Sequence, residues 1–137
     1  MKKVTISIVV VLAILSFSFV MPDGDQEDEL AKSMARGKLI YEEKCITCHM
    51  ENGQGIPSVF PPLAGSDYLL QKREASIHAV KFGQEGEITV NGIVYNNFMT
   101  PQGLTDPEVA DVMNYILNSW GNSGPIVTAE EVAAVQE

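Results

Sequence analysis

The sequence predicts an all-α domain with one small β-hairpin, wrapped around a group that its own side chains do not supply. Three stretches carry apolar residues at helical spacing, and a single Asn-Gly pair joins two β-branched triplets. Between them run two long segments rich in proline, glycine and polar residues. Three main helices, one hairpin and two long loops furnish a thin core for a body of about 115 residues, the size of one ordinary domain. Something else must fill the centre.

At the N-terminus, Lys2 and Lys3 precede an apolar run from Val4 to Met21, and the polar PDGDQEDE follows. Charge, apolar stretch and polar exit in that order describe a signal peptide over residues 1–21, or an anchor kept in the membrane through residues 4–21. No A-x-A stands before the polar exit, so both outcomes stay open. Either one places the mature chain outside the cytoplasm, in the periplasm or another extracytoplasmic space. Residues 22–29 hold five acids in eight positions and read as an acidic linker, a solvated tether.

The main domain is expected over residues 30–121. Leu30, Met34, Gly37, Tyr41 and Cys45 fall on one helical face. Residues 50–67 contain three prolines and three glycines, which predicts a long loop. Loops of that length usually carry function or enclose something. Asp67 is placed to cap a helix reaching about Phe82, with Gly83 as its stop. ITVNGIVY at 88–95 carries the strongest short hairpin signal, and NNFMTPQGL follows as an irregular loop.

Thr105 and Glu108 then have capping-box spacing, while Asp106 as cap would put Pro107 at the favoured first position. Val109, Val112, Met113, Ile116, Leu117 and Trp120 keep helical spacing up to Gly121. Residues 122–137 form a C-terminal tail whose short helix opens on a second capping box, Thr128 and Glu131.

The chain has 18 Asp+Glu against 9 Lys+Arg, a formal net charge of −9. Loss of the leader removes two lysines and no acid, which leaves 7 against 18 and a net charge near −11. No basic face is available for nucleic acid, whereas a basic protein partner would be attracted.

The chemistry concentrates in Cys45-Ile46-Thr47-Cys48-His49, which holds both cysteines of the chain. Zinc would need a fourth ligand, for which the sequence offers only His78, and adjacent residues 48 and 49 cannot easily face one metal together with Cys45. A thioredoxin-like dithiol opens a helix after a strand, but this pair ends a helical face. Haem attachment explains the spacing better. Two cysteines on one helical turn reach the two vinyl groups along one porphyrin edge, and the next residue then lies beneath the iron as proximal ligand.

The sixth ligand is then Met99, another methionine, His78, or an open position. Met113 and Met34 sit on apolar stripes, where methionine is usually core filler. Met50 adjoins His49 and cannot reach the opposite face, Met21 belongs to the leader, and His78 lies mid-helix among apolar neighbours. Met99 stands in an irregular loop between Phe98 and Thr100-Pro101, 50 positions after His49. It is the expected ligand.

Together, Cys45–His49, the loop Phe60-Pro61-Pro62-Leu63-Ala64-Gly65, Met99, and a last main helix with Tyr115 and Trp120 resemble the class I c-type cytochromes. More narrowly, GIPSVFPPLAGSDYL, ITVNGIVYNNFM and VMNYILNSWGN are similar to small haem-c domains that occur free or fused to copper nitrite reductases and respiratory oxidases. The resemblance implies the cytochrome c fold and one covalent haem c. It further implies that Gly37 and Tyr41 cross Val112 and Tyr115, that the Pro61 carbonyl accepts a hydrogen bond from His49, and that Leu63 packs on the porphyrin.

A haem ligated by His49 and Met99 leaves no place for a substrate, so the expected protein is not an enzyme. It is expected to be a monomeric single-electron carrier that meets respiratory redox partners. Two alternatives remain: a haem enzyme or gas sensor whose Met99 swings away, or an anchored cytochrome subunit of a larger respiratory complex.

Overall fold

The computed structural model describes residues 23–137. The signal or anchor expected over residues 1–21 lies outside them. Among the described residues no helix is long and apolar enough to cross a membrane.

The chain is mostly helical, with one two-stranded antiparallel hairpin. Helix α1 spans Asp23–Lys44, α2 Ile46–His49, α3 Asp67–Gln71, α4 Arg73–Phe82, α5 Asp106–Leu117 and α6 Ala129–Ala134; β1 (Ile88–Val90) pairs with β2 (Ile93–Tyr95). The helix begins at Asp23 and not at Leu30, so the segment expected to be a solvated tether is helical. Exposed acids such as Asp25, Glu27 and Asp28 suit a helix N-terminus, where the backbone dipole favours negative charge. Lys32 adds support by reaching back to Asp28 and Glu29, at 3.5 and 3.1 Å.

α1 crosses α5, and this crossing is the main packing event of the fold. Gly37 makes it possible: a Cβ there would overlap the backbone carbonyl of Asp111 and sit 3.0 Å from the Tyr115 Cβ. One turn on, Tyr41 is 1% exposed, its ring stacked at a tilt between Tyr115 and Trp120 with centroids 5.4 and 5.1 Å away. Its hydroxyl donates to the Met50 carbonyl at 2.7 Å, which locks the end of α1 to the turn after α2. Beside the crossing, Ser33 and Arg36 bind the Asp111 carboxylate, Ser33 Oγ at 2.6 Å. Val109, Val112, Met113, Ile116 and Leu117 supply the apolar face of α5, as their spacing predicts.

Three further features depart from the sequence reading. The helix expected from Asp67 to Phe82 is broken at Lys72 (φ −115°, ψ 60°), and its cap is Ser66, whose hydroxyl accepts from the Leu69 N–H at 3.1 Å. α5 stops at Leu117, short of Trp120: Asn118 turns its side chain onto the Asn114 carbonyl, and Trp120 leaves the helix at φ 54° to cover Gly53. At α6, Thr128 accepts from the Glu131 N–H at 3.2 Å, but the Glu131 carboxylate goes to Arg73 and does not return to Thr128. Gly83 ends α4 at φ 92°, and Asn91 and Gly92 turn the hairpin at φ 51° and 77°, as expected.

Residues 122–137 pack onto the core through a few buried side chains. Val127 and Val132 are 2% and 0% exposed. Asn114 pairs through its side-chain amide with both backbone groups of Val127, Arg73 holds the carbonyl of Ile126 with the carboxylate of Glu131, and Lys81 donates to the carbonyls of Val132 and Val135.

Candidate functional site

The space left open by this packing is an apolar cavity of about 210 Å³, partly open to solvent. Cys45, Cys48 and His49 line it, with Pro61 and Leu63 from the long loop, Ser76, Ala79 and Val80 from α4, Val90 and Tyr95 from the hairpin, Met99, and Val112 and Ile116 from α5. Every expected site residue is therefore brought to one hollow.

Helical bonding continues from α1 through the attachment motif: the N–H of Cys45 donates to Tyr41 and that of His49 to Cys45. Both cysteines are unpaired and half-buried. Burial, with the neighbouring Cys48 adding to it, pushes the Cys45 thiol up to about 11. That is the opposite of the lowered pKa a redox dithiol needs.

His49 is 8% exposed, and its Nδ1 lies 3.0 Å from the Pro61 carbonyl oxygen. A carbonyl only accepts, so this contact keeps the proton on Nδ1 and leaves the Nε2 lone pair free. Burial also holds the imidazole below its ordinary pKa, which favours the neutral ring. The long loop is folded to make the contact. Leu63 and Ala64 both donate to the Gly53 carbonyl, at 2.7 and 2.9 Å, and the N–H of Gly55 donates to the His49 carbonyl at 3.0 Å. Gly53 must be glycine, since it sits at φ 63° with Trp120 against it.

On the other stretch of the wall, the Met99 backbone exchanges two hydrogen bonds with Gln84, each 2.9 Å, so this loop is pinned to the chain just beyond α4. Among the described residues Met99 is the one methionine that lines the cavity. Met113 is fully buried in the core, and His78 rests its ring on Phe82 at 5.1 Å outside the cavity. The described residues bring together no group of three or more Cys, His, Asp and Glu, so a zinc site finds no ligand set.

Two residues at the site have no counterpart in the sequence reading. Asn122 accepts from the Gly65 N–H and donates to the carbonyls of Leu63 and Ile116, which ties the loop holding Leu63 to the end of α5. Its position just after Gly121, beyond a helix stop, was the available signal. The other is Ser76, 5% exposed, on the cavity-facing side of α4. Its only mark in the sequence is a hydroxyl set at helical spacing with Ala79 and Val80.

The cavity suits a large apolar group: its wall is mostly aliphatic and aromatic, both cysteines line it, and one buried hydroxyl beside it has no protein partner. Known proteins point the same way. The Cytochrome c family model matches residues 34–120. Cytochrome c-552 of Thermus thermophilus is 42% identical over 113 residues, covering 75% of this chain and 76% of its own. The cytochrome c subunit of the quinone alcohol dehydrogenase of Gluconobacter oxydans is 33% identical over 101 residues, 70% of this chain but 21% of that subunit. The gluconate 2-dehydrogenase cytochrome c subunit of Pantoea cypripedii is 31% identical over 124 residues, 82% of this chain and 28% of the subunit. Covalent haem c is the cofactor such a domain implies, and Cys45 and Cys48 have the spacing that attaches it. The chain belongs to the cytochrome c family and is a class I c-type cytochrome.

Proposed function

We propose that this protein carries single electrons between redox proteins outside the cytoplasm, on a haem c attached through Cys45 and Cys48 with His49 and Met99 as its axial ligands. The observation that best supports this is that His49 and Met99 line one cavity and are both already fixed, the ring by Pro61 and the methionine backbone by Gln84. Bound there, the haem supplies a reversible Fe(III)/Fe(II) couple.

The chain's own groups tune that couple. Pro61 orients the imidazole and raises its basicity as a ligand. As a ligand, the soft thioether of Met99 would favour the reduced ion, and Leu63, Val80 and Val112, which line the cavity, would exclude the water that stabilises ferric charge. If His49 and Met99 both hold the iron, no position would remain for a substrate, which supports a carrier over an enzyme.

Val59 and Phe98 line the cavity and remain 41% and 60% exposed, so they form an apolar rim where the porphyrin edge would meet a partner. Contacts of this kind are small and brief, and they suit a protein that works as a monomer. A redox titration of the purified holoprotein tests the ligand set: the reading requires a positive midpoint potential, and a clearly negative one contradicts it.

The relatives named as cytochrome c subunits of dehydrogenases support a second form of the same chemistry. In that form the chain is a fixed subunit of a larger respiratory assembly, held by residues 4–21. N-terminal sequencing of the mature protein separates the two, because only the anchored form keeps those residues.

A further inference from the structure

The hydroxyl of Ser76 has no role in the attachment of haem or in the ligand set. Among the described residues its Oγ is the buried side-chain polar atom left without a hydrogen-bond partner. Leaving such a group unpaired costs its full desolvation, and the cavity that Ser76 lines has room for a partner from outside the polypeptide. We propose that Ser76 donates a hydrogen bond to a propionate carboxylate of the haem, which makes it a positioning residue for the cofactor.

The chemistry of the haem selects the propionate, whose carboxylates are the hydrogen-bond acceptors on an otherwise apolar porphyrin rim. Cys45 and Cys48 take the two vinyl-bearing pyrroles, and the propionates hang from the other two, so they lie on the side of the ring away from α2. α4, which carries Ser76, packs chiefly on α3 and α5. The Met99 sulfur is the next candidate, but Met99 is tied to Gln84 beyond the C-terminal end of α4. Ser76 lies six residues before that end, about 9 Å along the helix at 1.5 Å per residue. A buried water is the third candidate, and it would need two to four polar partners. On its own helix the cavity wall offers Ala79 and Val80, whose side chains supply none.

This inference rests on haem c occupying the cavity and does not depend on Met99 as a ligand. The test is resonance Raman spectroscopy of the holoprotein, following the propionate bending mode in wild type, Ser76→Ala and Ser76→Thr, with the midpoint potential measured alongside. Ser76→Ala should move the mode to lower frequency and lower the potential, because the carboxylate loses a donor that neutralises its charge. Ser76→Thr keeps the hydroxyl and should stay near wild type. A mode that is unchanged in Ser76→Ala, with haem still attached, would show the hydroxyl turning back to the Lys72 carbonyl of its own helix and would overturn the proposal. A change confined to signals of the axial ligands would assign it to Met99 and overturn it equally. Failure of the haem reading itself would show differently, as a purified protein without haem bands.

Discussion

The side-chain amide of Asn114 closes on Val127 from both sides, accepting from its N–H at 2.6 Å and donating to its carbonyl at 2.9 Å. The same amide donates to Ser33 Oγ at 2.8 Å, so one buried residue of α5 joins α1 to the C-terminal segment. Replacing it with alanine strands the backbone groups of Val127 in a dry interior, at about 1–3 kcal/mol for each unpaired group. Asn114→Ala should lower stability by roughly 2–4 kcal/mol in denaturant unfolding. Residues beyond 121 should also become the first site of proteolytic cleavage. Unchanged stability would mean that the clamp is ornamental.

Gly37→Ala pits two effects against each other. Alanine in a helix gains up to about 1 kcal/mol over glycine, while overpacking costs about 1–3 kcal/mol. Here the added Cβ meets the backbone carbonyl of Asp111, which cannot rotate aside as a side-chain tip would. The net effect should be a loss of stability, read as a lower thermal midpoint of the holoprotein. A gain would show that α1 and α5 separate freely.

The Glu131 carboxyl is held below its ordinary value of 4.5, chiefly by its hydrogen bonds from Arg73. A lowered folded-state pKa contributes stability that is present above the unfolded value and is lost as pH falls through the folded one. The pair is partly exposed, so its worth is modest, about 0.5–1 kcal/mol. Glu131→Gln should thus be less stable than wild type at pH 7, and the difference should close as the pH drops below about 4. A gap that stays constant down to pH 3 would mean that charge on Glu131 is not what holds α6.

With a formal net charge of −9, association with a basic redox partner should slow as salt rises. Stopped-flow electron transfer at increasing ionic strength measures this directly. A rate independent of salt would assign docking to the apolar rim of Val59 and Phe98 alone.

Much of this was legible in the chain. The helical faces, the Asn-Gly turn and the attachment motif are local signals that mark Cys45, Cys48 and His49, Met99 stands out among the methionines by its loop, and Pro61 and Leu63 follow from the family resemblance; all six line one cavity. The shortfall of side chains for a core was legible too, because the loops at 50–67 and 96–104 carry too little apolar material to close it. What escaped was long-range. Asn114 and Asn122 look like ordinary polar residues until the segments they clamp are folded back upon them. Glu131 obeys a capping pattern in the sequence, yet a distant Arg73 takes its carboxylate. The early start of α1 was hidden by the acidity of residues 23–29, which reads as solvation but equally suits a helix N-terminus.

The ligand set is tested most directly by the visible spectrum of the purified holoprotein, oxidised and reduced, with and without carbon monoxide, beside Met99→Ala. The account predicts the weak long-wavelength band of methionine sulfur on ferric haem, absent from Met99→Ala, and a reduced spectrum that carbon monoxide leaves unchanged. A high-spin spectrum that shifts readily with carbon monoxide in the wild type would contradict it, and would make the open iron of a haem enzyme or gas sensor the better reading.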